Sequence, residues 1–220
     1  MNKILTVVLA VLMIGLIGCA SSPKKSDKPK GEIKVETKVY PPKVVEHKNT
    51  AFGGEVPEWV FQEADELEKQ DKYKGAYVFK FDQMGESLDG VQAWTRSFVA
   101  ATEVARMVSI RVTNKFAGAL VGDKDKVETY MEEVAKVLAQ AQYAGARKVG
   151  DFWVHQQTYK SDGKPDKLIF RYLLLYSVPK EQIDAAIARA LDEQAGKNKP
   201  KSEEEQTARD RVKELFKEGM

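Results

Sequence analysis

Apolar and polar positions fall into blocks along this chain, and each block predicts one element. The first is an apolar run from Ile4 to Ile17, behind the positive start Met1-Asn2-Lys3. At about 14 residues it is shorter than the ~20 that a membrane-spanning helix needs. Residues 20–50 then carry few large apolar side chains, so they are expected to pack no core. Val35 to Val45 alternates weakly and is a candidate edge strand, but Pro41-Pro42 demotes it. The folded body is expected from Ala51. Trp59, Val60, Ala64 and Leu67 share a helical face running to about Tyr73, with Pro57 in the first turn. Tyr77, Phe79 and Phe81 alternate as in a strand.

Val91 to Leu120 is the longest helical pattern. Trp94, Phe98, Ala101, Ala105, Val108 and Val112 form its stripe, with Arg96, Glu103, Arg106 and Arg111 on the opposite side. A second helix is expected over Lys124 to Ala144, capped by Asp123 and ended by Gly145. Asp151 to Tyr159 and Lys167 to Val178 read as strands joined by the turn Ser161-Asp162-Gly163-Lys164. A helix with Ile183, Ala186, Ile187, Ala190 and Leu191 on one face follows Pro179, and Gly196 is placed to stop it. Residues 203–218 suit a solvent-exposed helix with Val212, Leu215 and Phe216 as a small apolar edge. The pattern predicts an α+β fold: a small three-stranded mixed or antiparallel sheet with a C-terminal hairpin, covered on one face by a long helix and further helices.

Charge and cysteine usage change the picture at the N-terminus. Residues 20–50 hold eight lysines against four acids, as befits a self-extending tether of roughly 30 Å end to end. The whole chain carries a formal charge of only +2, which argues against nucleic acid as a partner. The single cysteine, Cys19, closes the apolar run as Leu16-Ile17-Gly18-Cys19. A short apolar core, a positive front and small residues at the end describe a removed export signal. The cysteine turns that signal into a lipobox, with cleavage after Gly18 and acyl chains on Cys19. One chain alone binds a bilayer marginally, whereas two or three make attachment effectively permanent. Ala20 follows the cysteine where an aspartate would favour inner-membrane retention, so the outer membrane is expected. The organisation is then a signal peptide at 1–18, a lipidated tether at 19–50, a globular domain at 51–196 and a charged tail at 197–220. With Cys19 acylated there is neither an internal disulfide nor a thiolate metal site.

Candidate chemistry is sparse. Of the two histidines, His47 lies in the tether and His155 in mid-strand. No Gly-x-Ser-x-Gly elbow or Gly-x-x-x-x-Gly-Lys loop accompanies them. The acids Asp65-Glu66, Glu132-Glu133 and Glu203-Glu204-Glu205 read as solvated helical faces rather than carboxylates opposed across a cleft. No cofactor is expected. The strand aromatics Tyr77, Phe79, Phe81, Phe152, Trp153, Phe170, Tyr172 and Tyr176 read as the core of the sheet, or as a pocket or exposed strip for an acyl chain, glycan or partner helix.

The lipobox, the lysine-rich tether, the domain start Pro57-Glu58-Trp59-Val60 and the Ala-rich helix containing Ala105-Arg106 together resemble the Lpp-twenty family of outer-membrane lipoproteins, over roughly residues 56–178. That resemblance implies an envelope location and an α+β domain. It implies partners of the kind met by surface antigens and flagellum-associated lipoproteins, and supplies no catalytic residues. The charged tail after Gly196 departs from the short members. The expected role is therefore a non-enzymatic envelope interaction module, partnered by the membrane through Cys19 and by envelope proteins or its own copies. A carrier of lipid or another small hydrophobic ligand is the alternative.

Overall fold

The sheet is organised by two long strands whose residues alternate between two buried faces. The computed structural model describes residues 39–119, 124–217 and 219–220, within one compact unit of residues 38–220. Strands β1 (Lys43–His47), β2 (Ala76–Gly85), β3 (Arg147–Tyr159) and β4 (Pro165–Pro179) form one antiparallel sheet in the order β1-β3-β4-β2. The fold is α+β, as the pattern predicts, but the sheet has four strands rather than three. The added strand, β1, lies inside the segment expected to be a tether. It begins just after Pro42, so the prolines precede the ladder instead of interrupting it. Val44 packs against the cluster of Val60, Phe152, Val154 and Leu173.

On one face Tyr77, Phe79, Phe81, Leu174 and Val178 meet the helical layer. That layer comprises α2 (Leu88–Ser97), α3 (Ala100–Ala119), α4 (Lys124–Gln140), α5 (Lys180–Lys197) and α6 (Glu203–Leu215). Val104, Val108 and Val112 recur by four on α3, and Val127, Met131, Val134 and Leu138 by three and four on α4. Each large side chain so buried contributes about 1.5–3 kcal/mol before chain entropy is charged against it.

The opposite face is also covered, against the expectation of helices on one side only. The segment from residue 56 to 73 lies there, placing Val60, Leu67 and Tyr73 on Phe152, Leu173, Val78 and Leu175. It is not the single helix expected. It consists of a 3-10 turn at Glu58–Val60, the short α1 (Ala64–Leu67) and a second 3-10 turn at Asp71–Tyr73. The Lys80 ammonium explains the break, since it takes the carbonyls of Val60 at 2.8 Å and Gln62 at 2.7 Å, with Trp59 at 3.3 Å. Carbonyls aimed at one cation cannot also run along a helix axis. Burial, then the Arg171 charge, pulls the Lys80 pKa down. Trp59 lies across Gly150, where an added Cβ would sit 3.0 Å from the indole, so glycine permits that approach.

The long helix expected over residues 91–120 is two helices. Phe98 is extended (φ −71°, ψ 116°) and ends α2. Its ring joins Trp94, Phe81 and Tyr176 at centroid distances of 5.1, 5.0 and 5.7 Å, so aromatic packing outweighs one turn of helix. Asp123, the expected cap of the next helix, lies outside the described residues. The charged tail is corrected as well. Helix α6 is docked rather than solvent-exposed: Ala208 and Val212, with Phe216 at its end, are buried in the main core, and Arg209 is buried beside it.

Three tyrosines tie this core to alkaline pH. Burial pushes the hydroxyls of Tyr77, Tyr130 and Tyr143 above their ordinary 10.0, Tyr130 to about 12. Tyr130 donates to the Leu191 carbonyl at 2.8 Å and Tyr143 to that of Leu138 at 3.1 Å. Above pH 10 the unfolded chain releases these protons first, so the native state holds more of them and stability falls as pH rises. The depressed Lys80 acts in the opposite sense, but only up to its ordinary 10.5, and Tyr172, also pushed up by burial, adds to the effect of the three tyrosines. Urea midpoints are expected to hold level to about pH 10 and then drop. Tyr143→Phe should reduce the slope of that drop.

Candidate functional site

The helical layer covers β2 and β4 more completely than β3, and the uncovered part of that face carries an aromatic strip. Asp151, Trp153, His155 and Gln157 follow one another at every second position of β3. Opposite the last three stand Tyr172, Phe170 and Leu168 of β4. Tyr172 packs against the margin of the main core, whereas Trp153, His155 and Phe170 are half-buried and join none of the core clusters. Leu168 is 50% exposed. His155 stacks face to face on Phe170, with centroids 4.1 Å apart and planes 2° from parallel, and Trp153 tilts against the same ring at 6.0 Å. Glu46 of β1 stands beside His155 in the ladder.

The Asp151 end of the strip is a charge cluster. Asp151 is paired by Lys48, at the end of the β1–β3 ladder, and by Lys148 at 2.9 Å. Burial pushes its carboxyl up, but hydrogen bonds from the two lysines outweigh that and hold it below its ordinary 3.8. Tyr172, next in the row, has its hydroxyl pushed up by burial and by the Asp151 charge. The strip can therefore offer flat apolar rings, an acid clamped between two ammonium groups, and the amide of Gln157. That combination suits noncovalent recognition by stacking and hydrogen bonding.

The residues singled out from sequence are not drawn into one centre. Leu16, Ile17, Gly18 and Cys19 lie outside the described residues. His47 and His155 are on opposite faces of the sheet: His47 is registered with Val154 and stacks on Phe152 at 5.9 Å. Glu66 closes a capping box with Glu63, Glu133 pairs with Lys136, and Glu205 takes the backbone N–H of Lys201 at 2.8 Å. Among the described residues no group of three or more His, Cys, Asp or Glu side chains could hold a metal ion. No described helix is long and apolar enough to cross a membrane.

The strand aromatics divide between the two readings that the sequence offers. Phe79, Phe81 and Phe152 are buried, but Trp153 and Phe170 are not. The signal was the company they keep: Trp153 shares its row with Asp151, His155 and Gln157, and a buried row would not alternate with such groups. A second opening, of about 600 Å³, lies between α3 and α4 and is lined by Phe116, Met131, Ala135 and Ala139 with Glu128 and Lys136 at its margin. No family model, no curated protein and no solved structure matches this chain.

Proposed function

We propose that this chain is a lipid-anchored, non-enzymatic module of the bacterial cell envelope, most naturally of the outer membrane. Its strip of Trp153, His155, Phe170 and Tyr172 docks an envelope protein or a second copy. The observation that carries the reading is the strip itself, an aromatic row left half-open beside a fully packed core. Aromatic side chains with polar neighbours are the groups enriched at the centres of protein interfaces. The anchor rests on the lipobox at Leu16–Cys19 and on the physics of acyl chains.

The test uses the native lipoprotein in cells. A photo-crosslinking residue at Phe170 should trap an adduct that one at Val99, exposed on the α2–α3 connection, does not. Mass spectrometry of the mature N-terminus should find acyl chains on Cys19. An unmodified Cys19 in the soluble fraction would remove the anchor, and two equally silent crosslinkers would remove the docking strip.

The opening between α3 and α4 favours a second reading, carriage of a lipid or similar ligand. Its volume and apolar lining fall within the range of small-molecule sites. Lipid retained on the gently purified protein, and lost from an Ala135→Trp variant that fills the groove, would favour the carrier over the module.

A further inference from the structure

A third recess lies at the far end of the helical layer, where the loop between α5 and α6 folds over the first two turns of α4. It has a volume of about 440 Å³. Lys199 and Lys201 stand at its exposed rim, and Asp125 and Thr129 of α4 form one wall. The inner lining is Arg209, which is only 5% exposed.

Arg209 is held rigidly. Its guanidinium lies over the Tyr130 ring at 4.4 Å. It donates to the Asn198 carbonyl and, at 2.5 Å, to Glu205. Its Nε–H is buried with no partner. An unmet donor on a buried cation is costly in a folded interior, and the residue that carries it lines a recess whose rim adds two ammonium groups. Lys197 also lines the recess but is paired with Glu193. With Glu193 counted beside its partner, the four cations Lys197, Lys199, Lys201 and Arg209 face three carboxylates, Asp125, Glu193 and Glu205, leaving the recess one positive charge in excess. The N-terminal end of α4 adds the positive pole of a 17-residue helix.

We propose that this recess binds a phosphate-class anion, either free phosphate or pyrophosphate or the phosphomonoester headgroup of a lipid. Phosphate fits because a planar guanidinium and two mobile ammonium groups can each take a different oxygen. A carboxylate has only two oxygens, in one plane, so it cannot give each of the three cations an oxygen of its own. Tyr130 and the helical walls keep Arg209 from turning out to solvent, so the site is preorganised rather than assembled on contact.

Calorimetric titration of the full chain at low ionic strength tests this with two probes, pyrophosphate and a water-soluble short-chain phosphatidic acid. Saturable one-site binding is expected. Lys199→Gln/Lys201→Gln should weaken it by about tenfold or more. Both lysines are exposed and unpaired, so an unchanged melting temperature will show that the variant is folded. Tighter binding of pyrophosphate assigns the site to soluble anions, and tighter binding of the short-chain lipid assigns it to a headgroup. No saturable binding of either probe, or equal affinity in wild type and double variant, overturns the proposal.

Discussion

A chain that stops at residue 196 should melt at least about 10 °C below the full one, because α6 covers core that nothing else covers. Ser202 starts the helix by accepting the Glu205 N–H at 3.1 Å, and Ala208, Val212 and Phe216 then enter the main cluster. The chain beyond it is tied down too. Lys115 donates to the Gly219 carbonyl at 2.6 Å, and the Met220 N–H donates to the Tyr77 hydroxyl at 2.6 Å, which itself donates to Asp184 at 2.8 Å. Gly219 sits at φ +89°, and an added Cβ there would lie 2.4 Å from the Tyr77 hydroxyl. A single charge should reproduce much of the loss. Val212→Asp puts an unpaired carboxylate into the core at a cost of about 3–5 kcal/mol. Lys213→Ala, one residue further on, only removes an exposed pair with Asp192 and should cost less than about 1 kcal/mol. Thermal melts of the four proteins decide it. If the truncated chain and Val212→Asp melt with the full chain, α6 is the dispensable tail that its composition suggests.

That composition shows why the fold was legible in some places and not in others. Periodicity identified α4, α5, the β3–β4 hairpin and the core half of α3, because there the buried stripe is aliphatic and the outer face is charged. The same reasoning misread α6. Its outer face is so rich in Glu, Lys and Arg that three apolar residues look incidental, although a helix needs only one narrow stripe to dock. It also demoted the candidate edge strand at Val35 to Val45 that overlaps β1, where Lys43, Glu46 and exposed Val45 give no clean alternation. An edge strand with one neighbour and charges on its rim has little reason to show one. The α2–α3 break and the interrupted 58–73 segment were set by tertiary partners, the aromatic cluster around Phe98 and the Lys80 ammonium, which a local window cannot contain. The candidate sites divide in the same way. Trp153 and Phe170 were named from sequence without their exposure. Arg209 with Lys199 and Lys201 required the chain to bring α4 and α6 together.

The helical pattern puts Arg111 on the side opposite the apolar stripe, yet its removal has the second large expected effect. It reaches from α3 to the free edge of the sheet. Its Nη2 donates to the Val78 carbonyl at 2.6 Å and its Nη1 to Glu68 at 2.8 Å, while the same carboxylate oxygen accepts the Val78 N–H at 2.8 Å. Both outward-facing groups of Val78 are thus closed by one ion pair, and the guanidinium also covers the Phe79 ring at 4.7 Å. Edge strands left open are templates for another chain. Arg111→Met would strand a largely buried Glu68 carboxylate and the Val78 carbonyl together, for a loss of about 3 kcal/mol. Glu68→Gln keeps an acceptor for the Val78 N–H and should cost less, about 1–2 kcal/mol. Because the two groups act as a unit, the double variant should lose less than the sum of the singles by about 1 kcal/mol or more. Urea unfolding of the four members of the cycle measures that difference. Sedimentation should show stronger concentration-dependent association for Arg111→Met than for the parent. Strict additivity with no added association would mean that the pair merely sits beside the edge, and that β2 is kept from pairing by its exposed end at Asp82–Met84 instead.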